Sequence, residues 1–316
     1  MTTHPPGELF ALLAAFTWAF AMVLFKYSGE RVTPLALNLF KSVVGVVMLA
    51  VTLLLAPYLG PFLGDESLHR VLALPARHIW IMVASGVIGI ALADTLFFYA
   101  LNMVGVGIVS IVDCLYTPSV FLFSYLLLKE QLTATHVIGA VLILTGVLVS
   151  TGHKPPSGTT RRQLVTGVLI GSLAMVSMAF GIVIAKPVLD GFPLIWAATI
   201  RLVAGGLALA GVALLAPARK TLWSIFRPSA DWKTAVPGAL IGTYLAYLFW
   251  VAGFKYADAS INAILNQTTV IFAIILATVI VKERMTRRKA LAVALAVLGV
   301  AVVLHEHFIK LLPTTN

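Results

Sequence analysis

Leu128-Lys129-Glu130-Gln131-Leu132-Thr133 and Val281-Lys282-Glu283-Arg284-Met285-Thr286 are the two stretches whose reading decides the fold. Each follows a long apolar run, and the two stand 153 residues apart. The same shift lays Gly89 on Gly242, Leu92-Ala93 on Leu245-Ala246 and Gly146-Val147 on Gly299-Val300. A shift of 160 lays Ala19-Phe20 on Ala179-Phe180, Lys26 on Lys186, Lys41 on Arg201 and Ala56-Pro57 on Ala216-Pro217. Hydrophobic composition alone can align Leu with Leu. It does not align paired Lys-Glu, Ala-Pro and a basic residue inside an apolar run, so the chain is an internal repeat.

The solvent of that repeat follows from composition. Of 316 residues, 60% are hydrophobic and 11% charged, and the mean hydropathy is +1.01. A soluble domain carries about 25% charged residues, and this chain has too few to cover a water-facing surface. A bilayer core of about 30 Å asks for about 20 apolar residues per helix. On that scale spans are expected near 8–28, 34–56, 78–101, 104–128, 133–151, 164–185, 193–216, 234–256, 259–281 and 287–305. The expected fold is an all-α membrane protein of ten transmembrane helices. Residues 1–151 form the first five-helix repeat, 152–163 a basic Pro/Gly linker and 164–316 the second repeat. Five is odd, so the second repeat enters the membrane inverted, a plan that recurs in transporters around a midplane site.

The net charge of +10 could suggest nucleic acid. Its placement in short stretches between apolar runs, such as Arg161-Arg162 and Arg287-Arg288-Lys289, argues instead for loops beside anionic lipid. Loops on the side where the chain begins carry six basic residues and those on the other side fourteen. Positive-inside counting therefore places both termini outside the cytoplasm. The single Cys114 excludes an internal disulfide, and His305-Glu306-His307 is too short a cluster for a metal site. No cofactor is expected.

Four charges lie well inside spans: Lys41, Asp94, Asp113 and Arg201. Each costs about 2.5–3.5 kcal/mol at a helix centre on insertion scales, so lipid-facing placement is unfavourable. At about 1.5 Å per residue, Lys41, Asp94 and Asp113 share a depth, and Arg201 has the mirrored one. The 153 shift pairs Asp94 with Tyr247 and Asp113 with Asn266. One half thus offers two acids and a lysine; the other offers a guanidinium among neutral hydrogen-bonding groups that include Gln267. Such asymmetry suits a substrate or proton site. The alternative is a Lys41–Asp ion pair that only fixes helix register. Asn38, Tyr99 and Tyr116 lie within a turn or two and are candidates to line the same cavity. Glu130 and Glu283 read as cap or hinge residues.

The ends of the two halves carry a family likeness. Pro118-Ser119-Val120-Phe121 leads through Lys129-Glu130 to Gly139 and Leu142-Ile143-Leu144-Thr145-Gly146-Val147. The second copy runs from Lys282-Glu283 to Leu298-Gly299-Val300, and Trp18 stands in the first span. In these motifs the chain resembles the EamA-domain branch of the drug/metabolite transporter superfamily. It departs from the pattern where Ile271 stands opposite Pro118 and Met178 opposite Trp18. The resemblance implies a secondary transporter, an exporter of small metabolites or drug-like molecules, working by alternating access in a bacterial or archaeal cytoplasmic membrane. It implies termini inside the cytoplasm, against the charge count. The partners expected are a small-molecule substrate, with Trp18 among the residues touching it, the lipid bilayer, and protons as a coupling ion. An integral membrane enzyme acting on a lipid or isoprenoid is the rival reading; the sequence holds no His-Glu-x-x-His motif and no glycine-rich phosphate loop to carry it.

Overall fold

The computed structural model describes residues 7–29, 33–63, 66–150, 159–215, 223–229, 232–280 and 285–311. Among these residues the chain is helical, without strands. The principal helices are α1 (Gly7–Gly29), α2 (Pro34–Leu63), α3 (Ala76–Gly105), α4 (Ile111–Leu128), α5 (Ala134–Ser150), α6 (Arg161–Leu189), α7 (Leu194–Leu215), α8 (Trp232–Tyr256), α9 (Ala259–Leu276) and α10 (Arg287–Leu311). Eight of the described helices are long and apolar enough to cross a membrane, and Gly7–Met22 and Ala134–Val149 are shorter apolar helices. Leu54, Leu169 and Leu207 stand exposed well inside their helices. In water so much outward-facing apolar surface would drive aggregation; against acyl chains it is the matched surface. The chain is an integral, multi-pass membrane protein.

Helix pairing is symmetric about the middle of the sequence. α1 packs on α8 and α9, while α6 packs on α3 and α4. α2 meets α7, α4 meets α9, and α5 meets α10 along much of their length. Exchanging the two parts of the chain turns the α1 contacts into the α6 contacts and each of the other three into itself. Gly105 makes the hairpin between α3 and α4: its φ of 75° and ψ of 170° lie where only glycine rests without strain.

One end of the bundle, where α1 begins, is tied by charged side chains that satisfy helix termini. Glu66, past the end of α2, accepts from the Ile195 amide at 3.1 and 3.2 Å and from the Trp196 amide at 3.3 Å, at the start of α7. Trp196 Nε1 donates to the Glu66 carbonyl at 2.9 Å. Glu130 accepts from the amides of Ala259 (3.0 Å) and Ser260 (3.2 Å) and from Ser260 Oγ (2.7 Å) at the start of α9. Lys255 Nζ donates to the carbonyls of Leu189, Asp190 and Phe192 at 2.7, 3.0 and 2.6 Å, capping the end of α6. Unpaired helix-end groups attract these charges, anions at N-termini and cations at C-termini. The expected cap role of Glu130 is what its geometry displays; Glu283 lies outside the described residues.

Two measurements check this account. Gly105→Ala should lower stability by about 1–3 kcal/mol, the cost of holding a side chain in that backbone region, read as thermal unfolding in detergent. The second concerns Glu66, 8% exposed, whose carboxyl burial raises above the ordinary range despite the pull of the α7 amides and Lys255. A folded-state value above the unfolded one means that the folded chain binds the proton more tightly. Its contribution to stability is therefore complete below the unfolded value and fades as pH rises through the folded one. The parent should gain unfolding temperature relative to Glu66→Gln as pH is lowered through that window. A gain in the opposite direction would show a carboxylate held as a net-stabilised anion.

Candidate functional site

Four helix irregularities, in two matched pairs, shape the centre of the bundle. α3 widens into a π turn at Val87–Leu92 and α8 into another at Leu240–Ala246, 153 residues apart. α4 tightens at Cys114 and Leu115, whose amides bond back to Ile111 (3.2 Å) and Val112 (2.9 Å). α9 does the same at Gln267 and Thr268, bonded to Ile264 (3.2 Å) and Leu265 (3.1 Å). π turns inside helices frequently mark functional sites. Tyr247 directly follows one π turn, Asp94 stands two residues past the other, and Asp113 and Asn266 directly precede the two breaks.

Lys41 and Asp94 meet. Lys41 Nζ donates to Asp94 Oδ2 at 3.1 Å, with side chains 7% and 19% exposed. The ammonium also sits over the rings of Trp18 (5.4 Å) and Phe98 (5.5 Å), whose negative faces add to the attraction. Asn38 lies one turn before Lys41 and is wholly buried, and neither atom of its amide finds a hydrogen-bond partner among the described residues. A buried unpaired amide in a low-dielectric interior is costly and calls for a reason.

Arg201 is 1% exposed and held by neutral groups. Its Nε donates to the Tyr247 hydroxyl at 3.3 Å, and Nη1 donates to Ser85 Oγ, whose hydroxyl in turn donates to the Gly181 carbonyl. The guanidinium lies 5.5 Å from the Trp250 ring centre, and Trp250 stacks on Tyr247. α3 can approach this closely because Gly86 and Gly89 face Arg201: a Cβ on Gly86 would fall 2.1 Å from the Arg201 carbonyl oxygen. A Cβ on Gly89 would stand 3.6 Å from Nη2. Among the described residues no carboxylate pairs with Arg201.

The two breaks touch in the middle. Gln267 Nε2 donates to the Asp113 carbonyl at 3.1 Å, an acceptor released by the tightened turn, and Thr117 Oγ1 donates to the Ala263 carbonyl at 3.4 Å. Gln267 Oε1 is buried without a hydrogen-bond partner among the described residues, and the Tyr116 hydroxyl is buried beside Trp250. The Asp113 carboxylate makes no ion pair or hydrogen bond among the described residues. Asn266 turns its amide nitrogen back to the Asn262 carbonyl at 2.9 Å. Tyr99 is 58% exposed and stands apart from this group.

The structure therefore brings Trp18, Asn38, Lys41 and Asp94 into one cluster, Arg201 and Tyr247 into a second, and Asp113, Tyr116, Asn266 and Gln267 about the facing breaks. Sequence reasoning missed Ser85 and Trp250, the groups that hold Arg201. A lone serine beside Gly86 in a 30-residue apolar helix was the available signal.

Removing one partner of a buried ion pair costs about 3–5 kcal/mol, because the other charge is left uncompensated. Lys41→Met should lower the unfolding temperature, Lys41→Glu should lower it further, and Lys41→Met combined with Asp94→Asn should recover most of the loss. Additive effects in that cycle would mean that the pair carries no coupling.

The sequence profile described as the EamA-like transporter family matches residues 5–152 and again 165–305. The chain is 26% identical over 207 residues to protein PecM of Dickeya dadantii, a stretch that is 64% of this chain and 66% of that protein. It is 25% identical over 145 residues to the uncharacterized transporter YoaV of Bacillus subtilis, covering 46% of each. The chain thus spans about two thirds and about half of these two relatives. An uncharacterized transporter of Archaeoglobus fulgidus is 20% identical over 296 residues, 94% of this chain and 97% of that one. A protein known from its crystal structure shares the fold, with a TM-score of 0.76 at 22% identity over 96% of this chain and 98% of that one. With the profile matched twice across nearly its whole length, and with a polar site enclosed in an apolar helical bundle, the chain belongs to the EamA-like transporter family.

Proposed function

We propose that this membrane transporter is a secondary exporter that moves a small molecule carrying both an amine and an acidic group. Its ten spans are arranged as two inverted five-helix repeats, residues 1–151 and 164–316, joined by the linker 152–163. Access to the site alternates between the two sides as the repeats rock against each other. Support for the inversion comes from the pairing that survives exchange of the two parts and from the irregularities repeated at a spacing of 153 residues. Export and a bacterial or archaeal cytoplasmic membrane rest on the family likeness.

The observation that carries the substrate class is a pair of opposite charges that do not neutralise each other. Arg201 rests on neutral partners, the Asp113 carboxylate has no hydrogen bond or ion pair among the described residues, and no ion pair joins the two. A zwitterion bridging the gap would give its acidic group to the guanidinium, which stays charged when buried and grips planar anions with two donors. Its ammonium would meet the Asp113 carboxylate, the Gln267 Oε1 and the Tyr116 hydroxyl. Trp18, Phe98, Trp250 and Tyr247, the rings beside Lys41 and Arg201, would give it apolar walls. In the empty cycle Asp113 takes up a proton in place of the amine, while Asp94 stays committed to Lys41.

Reconstituted vesicles test this with a zwitterionic aromatic amino acid, its N-acetyl derivative and its amide as labelled probes. The zwitterion should be moved, and the two singly charged derivatives at least tenfold more slowly. Arg201→Gln and Asp113→Asn should each cut transport at least tenfold while the protein stays folded and inserted. Undiminished transport by both variants would leave these charges as structural elements and refute the site.

A further inference from the structure

The two halves hold one arrangement in two versions. Lys41 on α2 and Arg201 on α7 are repeat counterparts at a spacing of 160 residues, and Asp94 on α3 and Tyr247 on α8 are counterparts at a spacing of 153. The structure joins them in the same way. In each half the basic side chain of the second helix reaches the residue just past the π turn of the third. An aromatic ring about one turn further along that third helix stands against the cation in both, Phe98 at 5.5 Å from Lys41 and Trp250 at 5.5 Å from Arg201. What differs is the acceptor. In the first half it is a carboxylate at 3.1 Å; in the second it is a phenol at 3.3 Å.

That difference sets the charge each half presents. A carboxylate only accepts, and its charge cancels that of the ammonium; a phenol accepts, donates and stays neutral. Tyr247 uses both capacities. Its oxygen accepts from Arg201 Nε, and its hydroxyl donates to the Ala198 carbonyl at 3.4 Å, about one turn back along α7. Its ring stacks on Trp250, with 6.1 Å between centres and 23° between planes. The phenol thus braces the guanidinium without discharging it, and Ser85, which accepts from Nη1, is neutral too. Among the described residues no carboxylate pairs with Arg201, which is 1% exposed. A buried cation without an anion is costly. The first half shows that this backbone arrangement accommodates the acid that would relieve the cost.

We infer that position 247 sets the charge selectivity of the transport site. Tyr247 keeps Arg201 unneutralised, so the site takes solutes that bear an acidic group; an acid at this position would convert the second half to the closed ion pair of the first. The substrate consequence rests on the proposed transport site. The electrostatic core, that residue 247 decides whether Arg201 is paired, stands on the internal repeat alone.

Tyr247→Asp and the longer Tyr247→Glu, each set against its uncharged counterpart Tyr247→Asn or Tyr247→Gln, provide the test. The first readout is the unfolding temperature of the purified protein in detergent, which needs no substrate. Each acidic variant should unfold at a higher temperature than its uncharged counterpart, and adding Arg201→Gln should abolish that difference. The second readout is transport in vesicles with the zwitterionic aromatic amino acid and its amide. The acidic variants should move the zwitterion about tenfold more slowly than their uncharged counterparts, because the guanidinium no longer offers its two donors to the solute. They should also move the amide, which lacks the acidic group, at least as fast as the zwitterion. Equal unfolding temperatures for the acidic and uncharged variants at both side-chain lengths would overturn the inference. So would acidic variants that couple to Arg201 yet still prefer the zwitterion. Coupling to Arg201 in a protein whose parent moves neither probe would keep the pairing role of position 247 and reject the zwitterion as substrate class instead.

Discussion

A backbone amide or carbonyl exposed to hydrocarbon has no water to fall back on, and each such group costs several kcal/mol. A departure from regular helix inside the bundle is therefore a place where another part of the molecule supplies a partner. The breaks in α4 and α9 are met by each other, through Gln267 and the Asp113 carbonyl. The starts of α7 and α9 are met by Glu66 and Glu130, and the end of α6 by Lys255. The irregular elements are consequently the joints of the assembly as well as the walls of its site.

The same economy governs the charges. Lys41 is neutralised by Asp94 and softened further by two aromatic faces, which leaves a compact neutral unit. Arg201 is stabilised only by dipoles and a ring, so its charge still projects a field. Asp113 lies at the break in α4, and its carboxylate makes no ion pair among the described residues. Paired and unpaired charges thus coexist within one bundle, distinguished by whether a partner is already in contact.

Much of this was legible in the sequence. The repeat of Lys129-Glu130 at Lys282-Glu283 and the apolar runs between them gave the helical order, and the cost of burying Lys41 and Asp94 in lipid was enough to predict their meeting. Depth arithmetic could not separate Asp94 from Asp113, because it ignores rotation about the helix axis, and the π turns before Asp94 and Tyr247 alter that rotation without any mark in composition. Tyr99 was expected in the cavity for the same reason and stands exposed. The grip of Ser85 on Arg201 depends on how closely Gly86 lets α3 and α7 approach, a distance between helices that sequence spacing does not carry.

The long reach of the two carboxylates has a consequence for how the protein is made. Glu66 finds its amides 129 and 130 residues later in the chain, and Glu130 finds its own at the same separations. At about 5–20 residues per second of synthesis, each acid waits roughly 6–26 seconds in the membrane before its helix exists. Through that interval the first five helices are inserted with their closing contacts unmade. Docking of α7, and then of α9 after it, is what completes them, so the order of translation is also the order in which this end of the bundle shuts.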